Sequence, residues 1–98
     1  MKISDILGEA ALLEQLAEEA AELSQAALKL ARYRRGENPV CRSEPELICS
    51  LEEELTDVLV AVSTLPYRPD KNIELAKRKR WEQRLEAMYA EKEGQQDG

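Results

Sequence analysis

The chain has 98 residues, with 20 acidic against 14 basic side chains for a net charge of −6, and contains no His. One small domain is the expectation for this length, and a domain this small buries little of its own surface, so self-association is expected to complete it. The absent His excludes Ser-His-Asp and Cys-His nucleophiles and the commonest zinc ligand, and the acidic balance argues against nucleic acid as a partner.

The amino-terminal residues hold one Lys, an early Asp5 and no long apolar run, so no signal peptide is expected. Ser4 or Asp5 is a candidate cap for a first turn. From Glu9 to Arg34, Leu13, Leu16, Ala20, Leu23, Ala27 and Leu30 recur in alternating steps of three and four. That spacing predicts an amphipathic helix of about 39 Å, and Gly36 stands where its carboxy-terminal stop belongs. Gly36-Glu37-Asn38-Pro39 reads as a turn.

A second helix is expected over Glu46–Leu65, with Ile48, Leu51, Leu55, Val58, Val62 and Leu65 as its seam and Pro66 as its end. Ser43 with Glu46, or Ser50 with Glu53, forms its capping box. The run Val58–Val62 is the longest apolar stretch, far short of the roughly 20 residues needed to cross a membrane. A third helix, Asp70–Glu91, is capped by Asp70 and carries Ile73, Trp81, Leu85 and Met88 on its apolar side. Together these predict an all-α fold, an antiparallel bundle of three main helices in one domain, 1–92, with a disordered polar tail at 93–98. Cys41 and Cys49 match neither a disulfide framework nor a zinc spacing, which predicts two free thiols in a reducing, cytoplasmic setting.

Two acid pairs stand out. Glu19 and Glu22 lie three apart in the first helix, and Glu54 and Asp57 three apart in the second. Such pairs share a helix face. Each acid directly precedes a seam residue: Ala20, Leu23, Leu55 and Val58 respectively. Packed antiparallel along those seams, the helices would turn four carboxylates toward one groove. Four carboxylates repel one another in a partly dry site, and a hard divalent cation such as Mg²⁺ relieves that repulsion with oxygen ligands alone.

Leu16-Ala17-Glu18-Glu19-Ala20-Ala21-Glu22-Leu23 resembles the EExxE helix of the MazG-like all-α nucleoside triphosphate pyrophosphohydrolases, and Glu53-Glu54-Leu55-Thr56-Asp57-Val58-Leu59 resembles their ExxD helix. The resemblance extends over roughly residues 9–85. It implies that Glu19, Glu22, Glu54 and Asp57 hold Mg²⁺, with Mn²⁺ as a possible substitute. It also implies that Glu18 and Glu19 take part in catalysis, Glu18 as a further ligand, as a support for a ligand, or as the base orienting a water. Lys77, Arg80 and Arg84 share one face of the third helix. Lys77 and Arg84 resemble the family's Lys and following Arg, side chains that hold triphosphate oxygens, and Lys29 is a further candidate phosphate contact. Trp81 stands where some members carry Asn, and the 31 residues between the motifs form a longer connection than is usual, containing Cys41 and Arg42 and readable as a lid over 36–46.

The implied reaction is Mg²⁺-dependent hydrolysis of an NTP or dNTP to the monophosphate and pyrophosphate, in nucleotide-pool house-cleaning, by a homodimer or homotetramer. The competing expectation is a non-catalytic, dimeric helical interaction or regulatory module, in which the acids are solvated surface.

Overall fold

The structure is a computed structural model that describes residues 2–37 and 41–97. Among the described residues it is all-helical, in the order α1 (Ile3–Ile6), α2 (Glu9–Arg35), α3 (Glu44–Ser63) and α4 (Lys71–Asp97). Asn38 and Pro39 of the expected turn, and with them part of the expected lid, lie outside the described residues, as does the side chain of Ser4. The chain divides into two compact units, Met1–Tyr67 and Arg68–Gly98.

The first unit is built on α2 and α3. No Pro or Gly interrupts α2, and its Ala, Leu and Glu content favours helix. Gly36 ends it at φ 67°, ψ 18°, a left-handed conformation that costs a residue with a Cβ about 1–2 kcal/mol. That turn lets the Gly36 and Glu37 N–H groups bond the Tyr33 and Arg32 carbonyls at 3.1 and 3.2 Å. α3 starts at Glu44, not Glu46. Ser43 is the cap: its hydroxyl accepts from the Glu46 N–H at 3.4 Å, and the Glu46 carboxylate accepts from the Ser43 hydroxyl at 3.0 Å. Those contacts, led by the Ser43 side chain, hold the Glu46 carboxyl below its ordinary range. α3 stops at Ser63, short of the expected Leu65. The residue before Pro66 avoids helical backbone, and the Ser63 and Thr64 hydroxyls instead bond the carbonyls of Val60 and Ala61.

The two helices run antiparallel. Arg34 near the end of α2 pairs with Glu44 at the start of α3 at 2.7 Å. At the opposite end the Tyr67 hydroxyl donates to the Glu9 carboxylate, which holds the phenol's proton more tightly than usual. Between these ends the buried residues are Leu12 and Ala26 of α2, Leu47 and Ala61 of α3, and Leu65 just beyond it. Leu16, Leu23, Leu30, Leu51 and Val58 are half-buried around them.

Half of each expected seam packs as expected, Leu16, Leu23 and Leu30 in α2 and Leu51, Val58 and Leu65 in and just after α3, while the alternate positions fall one residue earlier, at 12, 19, 26, 47, 54 and 61. The packed positions of α2 are 12, 16, 19, 23, 26 and 30, and those of α3 and the turn after it are 47, 51, 54, 58, 61 and 65. One position rotates a helical side chain by about 100°, so Leu13, Ala20 and Ala27 turn away from α3 and are exposed, as is Leu55. The reason is visible in the residue types. The seam actually buried has an acid at its third position in each helix, Glu19 and Glu54, so the unbroken apolar series beside it reads as the stronger stripe.

The second unit is α4 with the turn before it. Asp70 caps it as expected: its carboxylate accepts from the Ile73 N–H at 3.0 Å. Arg78 bridges Glu74 one turn back at 3.0 Å. Every α4 side chain from Lys71 to Gly94 is exposed, including Ile73, Trp81, Leu85, Met88 and Tyr89, each more than half exposed. The tail expected to be disordered from 93 is helical through Asp97. Glu91, Lys92, Glu93, Gln95 and Gln96 are good helix formers, and Gly94 costs only about 1 kcal/mol against them. No described helix is long and apolar enough to cross a membrane.

Candidate metal centre

The antiparallel register sets the middle of α2 against the middle of α3. Glu19 and Glu54 occupy the packed seam itself, and Glu22 and Asp57 stand one turn on, at its exposed margin. The expectation that all four flank the seam is corrected for Glu19 and Glu54, which lie in it. One carboxylate oxygen from each of the four lies within 4.8 Å of the others. The spacing argument thus brings together the four residues it named.

Their environment is unequal. Gln15, one turn before Glu19, donates its side-chain N–H to Glu19 Oε1 at 2.7 Å and so fixes that carboxylate. Glu19 Oε2 and Glu54 Oε2 are buried without a hydrogen-bond partner. A buried, unpaired carboxylate oxygen is costly, and two in one cluster of acids are costlier. The Glu54 carboxyl is accordingly pushed above its ordinary range, first by desolvation, then by the charge of Glu22 and a hydrogen bond shared with it, then by Asp57 and Glu19.

This donor set fits a hard divalent cation. It offers carboxylate oxygens only, two of them already dry and unpaired, with two exposed acids left to share the remaining coordination with water or substrate. The same oxygens are poor ligands for a soft metal. The two thiols are free and exposed and stand outside the cluster, Cys49 lying 3.8 Å from Glu53.

The other expected site residues divide into three. Glu18 is exposed and is not among the four converging acids. Lys29 lines a cavity of about 300 Å³ with Glu22, Gln25, Ala26, Arg42, Leu47, Ser50 and Glu54, so it shares a space with two of the acids. Lys77, Arg80 and Arg84 line one surface groove of α4 together with Trp81, which the helix leaves exposed.

Three residues of the hairpin site escape a reading by acid spacing. Gln15 is detectable afterwards by its i, i+4 relation to Glu19. Arg42 and Ser50 join through the fold: Arg42 Nη2 donates to Ser50 Oγ at 2.7 Å, eight residues on. No family model matches this chain, and neither does a curated protein or a solved structure.

Proposed function

We propose that the hairpin of α2 and α3 binds Mg²⁺ and that the protein is a MazG-like nucleoside triphosphate pyrophosphohydrolase. The observation that carries this reading is the meeting of Glu19, Glu22, Glu54 and Asp57 within 4.8 Å, with two of their oxygens buried and unpaired. The motif resemblance in α2 and α3 supplies the reaction; the geometry supplies a reason for the acids to be there.

In this reading Glu19 and Glu54 are the inner ligands, held by the seam and by Gln15, while Glu22 and Asp57 reach the ion from the open side. Bound there, Mg²⁺, or Mn²⁺ in its place, neutralises phosphate oxygens and acidifies a water. Glu18, one turn from Glu22 on the same helix, is assigned to orienting that water. Lys29 is assigned to phosphate oxygens; Lys77 and Arg84, which share one groove of α4 with Arg80, keep the phosphate-binding role that the resemblance gives them, Arg through paired N–H donors and Lys as a point charge. Phosphoryl chemistry of this kind rests on positioning and charge stabilisation, which carboxylates and cations supply without a His.

Self-association as a homodimer or homotetramer belongs to the same proposal. The displaced stripe of α2, with Leu13, Ala17, Ala20 and Ala27, and the exposed Leu55 and Leu59 of α3 lie on the side of the hairpin away from the cavity and are uncovered in one chain. The exposed Trp81, Leu85, Met88 and Tyr89 of α4 favour the second reading, a non-catalytic helical interaction module. One assay separates the two. A panel of canonical and modified NTPs and dNTPs is incubated with the protein, with and without Mg²⁺, and released pyrophosphate is measured. Mg²⁺-dependent turnover that Glu19→Gln and Asp57→Asn abolish is expected; absence of turnover across the panel would leave the interaction module.

A further inference from the structure

The cavity beside the acid cluster is lined by charges of both signs. Along α2 it is lined by Glu22, then Gln25 and Ala26, then Lys29; from the other side come Glu54, Ser50, Leu47 and Arg42. Glu22 and Glu54 belong to the four converging acids. Seven residues of helix separate Glu22 from Lys29, about 10 Å along the axis. Lys29 thus stands two turns from Glu22 on α2, and the Arg42 guanidinium, held at Ser50, stands one turn from Glu54 on α3.

Arg42 is oriented rather than loose. Its Nη2 donates to Ser50 Oγ at 2.7 Å and to the Glu46 carbonyl at 3.3 Å, and its Nε lies 3.7 Å from the Glu46 carboxylate. The Glu46 carboxylate meets Arg42 through one oxygen and the Ser43 cap through the other, at 3.0 Å. Those contacts occupy Nη2 and Nε and leave the Nη1 donors for a ligand. Lys29 forms none of the ion pairs found among the described residues, although an acid cluster lies two turns away on its own helix. Two cations and two acids lining one cavity suit a ligand of both signs: an anion chain carrying a divalent cation.

We propose that Arg42 and Lys29, with Ser50 positioning Arg42, form a phosphate subsite that takes the end of a polyphosphate chain remote from the metal. This rests on the metal-centre reading above and extends it. The acids would hold the cation, which would supply charge neutralisation to the near phosphates, and the guanidinium and ammonium bind the far phosphate.

The test uses the full chain and two probes, Mn²⁺ alone and inorganic tripolyphosphate with Mg²⁺, followed by calorimetric titration. Arg42→Ala and Lys29→Ala should each weaken tripolyphosphate binding about 10-fold or more, the scale of losing a charge-assisted hydrogen bond, while leaving Mn²⁺ affinity unchanged. Arg42→Lys should fall between wild type and Arg42→Ala, because the charge stays and the fork is lost. Ser50→Ala should weaken tripolyphosphate binding, and Ser50→Thr, which keeps the hydroxyl, should restore it. Circular dichroism establishes that each variant is folded. Repeating the titration with a nucleoside triphosphate separates a phosphate-only subsite, where the losses are equal, from one that also depends on the nucleoside. Wild-type tripolyphosphate affinity in a folded Arg42→Ala, Lys29→Ala double variant that still binds Mn²⁺ would overturn the subsite alone. Failure of the wild-type chain to bind Mn²⁺ would overturn the metal centre and the subsite with it.

Discussion

The hairpin and α4 are both long-helical, but α4 is richer in Lys and Arg and poorer in apolar residues, and they are stabilised in different ways. α2 and α3 each bring a stripe that the other covers, so Leu12, Ala26, Leu47, Ala61 and Leu65 leave water. α4 buries none of its side chains from Lys71 to Gly94 and rests on helix propensity, an Asp70 cap and the Arg78–Glu74 bridge. The difference shows where a charge can be placed deliberately. An acid on α4 is solvated whatever its neighbours; an acid at position 19 or 54 is enclosed by a seam and must be compensated. The hairpin is thus the part of the chain able to build a site whose charges matter.

Substitutions that strike one region should spare the other. The largest effect is expected for Leu47→Ala, where a 2%-exposed side chain is removed. Such a loss costs about 2–5 kcal/mol, and the thin core leaves few contacts to absorb it; urea unfolding followed by circular dichroism reads the change in midpoint. Next is Gly36→Ala, expected to cost about 1–2 kcal/mol for its left-handed backbone, and then Ser43→Ala, about 1 kcal/mol for its cap. Trp81→Ala should come last in thermodynamic effect on an isolated chain, within about 0.5 kcal/mol as for other exposed positions. A large loss at Trp81 that grows with protein concentration would instead show that association covers α4.

The acid cluster gives a prediction of opposite sign. The folded chain holds the Glu54 proton more tightly than the unfolded chain, because desolvation and Glu22 raise its pKa above 4.5. Stability without metal should therefore fall as pH rises through that raised value and recover on acidification toward the ordinary carboxyl value of 4.5. Glu54→Gln should raise the melting temperature at pH 7 without metal, flatten this pH dependence, and weaken Mn²⁺ binding by at least about 10-fold. Below pH 4.5 the Glu46 cap acts the other way: its carboxyl is lowered, and its contribution is lost as pH falls through its folded value. A destabilised Glu54→Gln variant would mean that the glutamate makes favourable contacts in the folded chain.

The helices were legible from spacing, caps and breaks: Gly36, Ser43, Asp70 and Pro66 all mark ends within two or three residues. The phase of the seams was legible at only half of their positions. Leu16, Leu23, Leu30, Leu51, Val58 and Leu65 pack as read from the spacing; at the alternate positions Glu19 and Glu54 interrupt the buried stripe, so the next residues, Leu13, Ala20, Ala27 and Leu55, complete an unbroken apolar series that reads as the better seam. The error and the site have one cause, since the polar residues that break the pattern are the candidate ligands. The quartet itself was legible because i, i+3 pairs on two helices fix four side chains with few possible arrangements. Arg42 and Ser50 were not, because their meeting depends on the path of a turn and carries no periodic signal.

The central claim is that Glu19, Glu22, Glu54 and Asp57 hold one divalent centre. Titration of the purified chain with Mn²⁺, followed by calorimetry, tests it most directly. Saturable binding that Glu19→Gln and Asp57→Asn each reduce by at least about 10-fold, together with a higher melting temperature in the metal-bound protein, is the expected result. No saturable binding, or binding that these two substitutions leave unchanged, would contradict it.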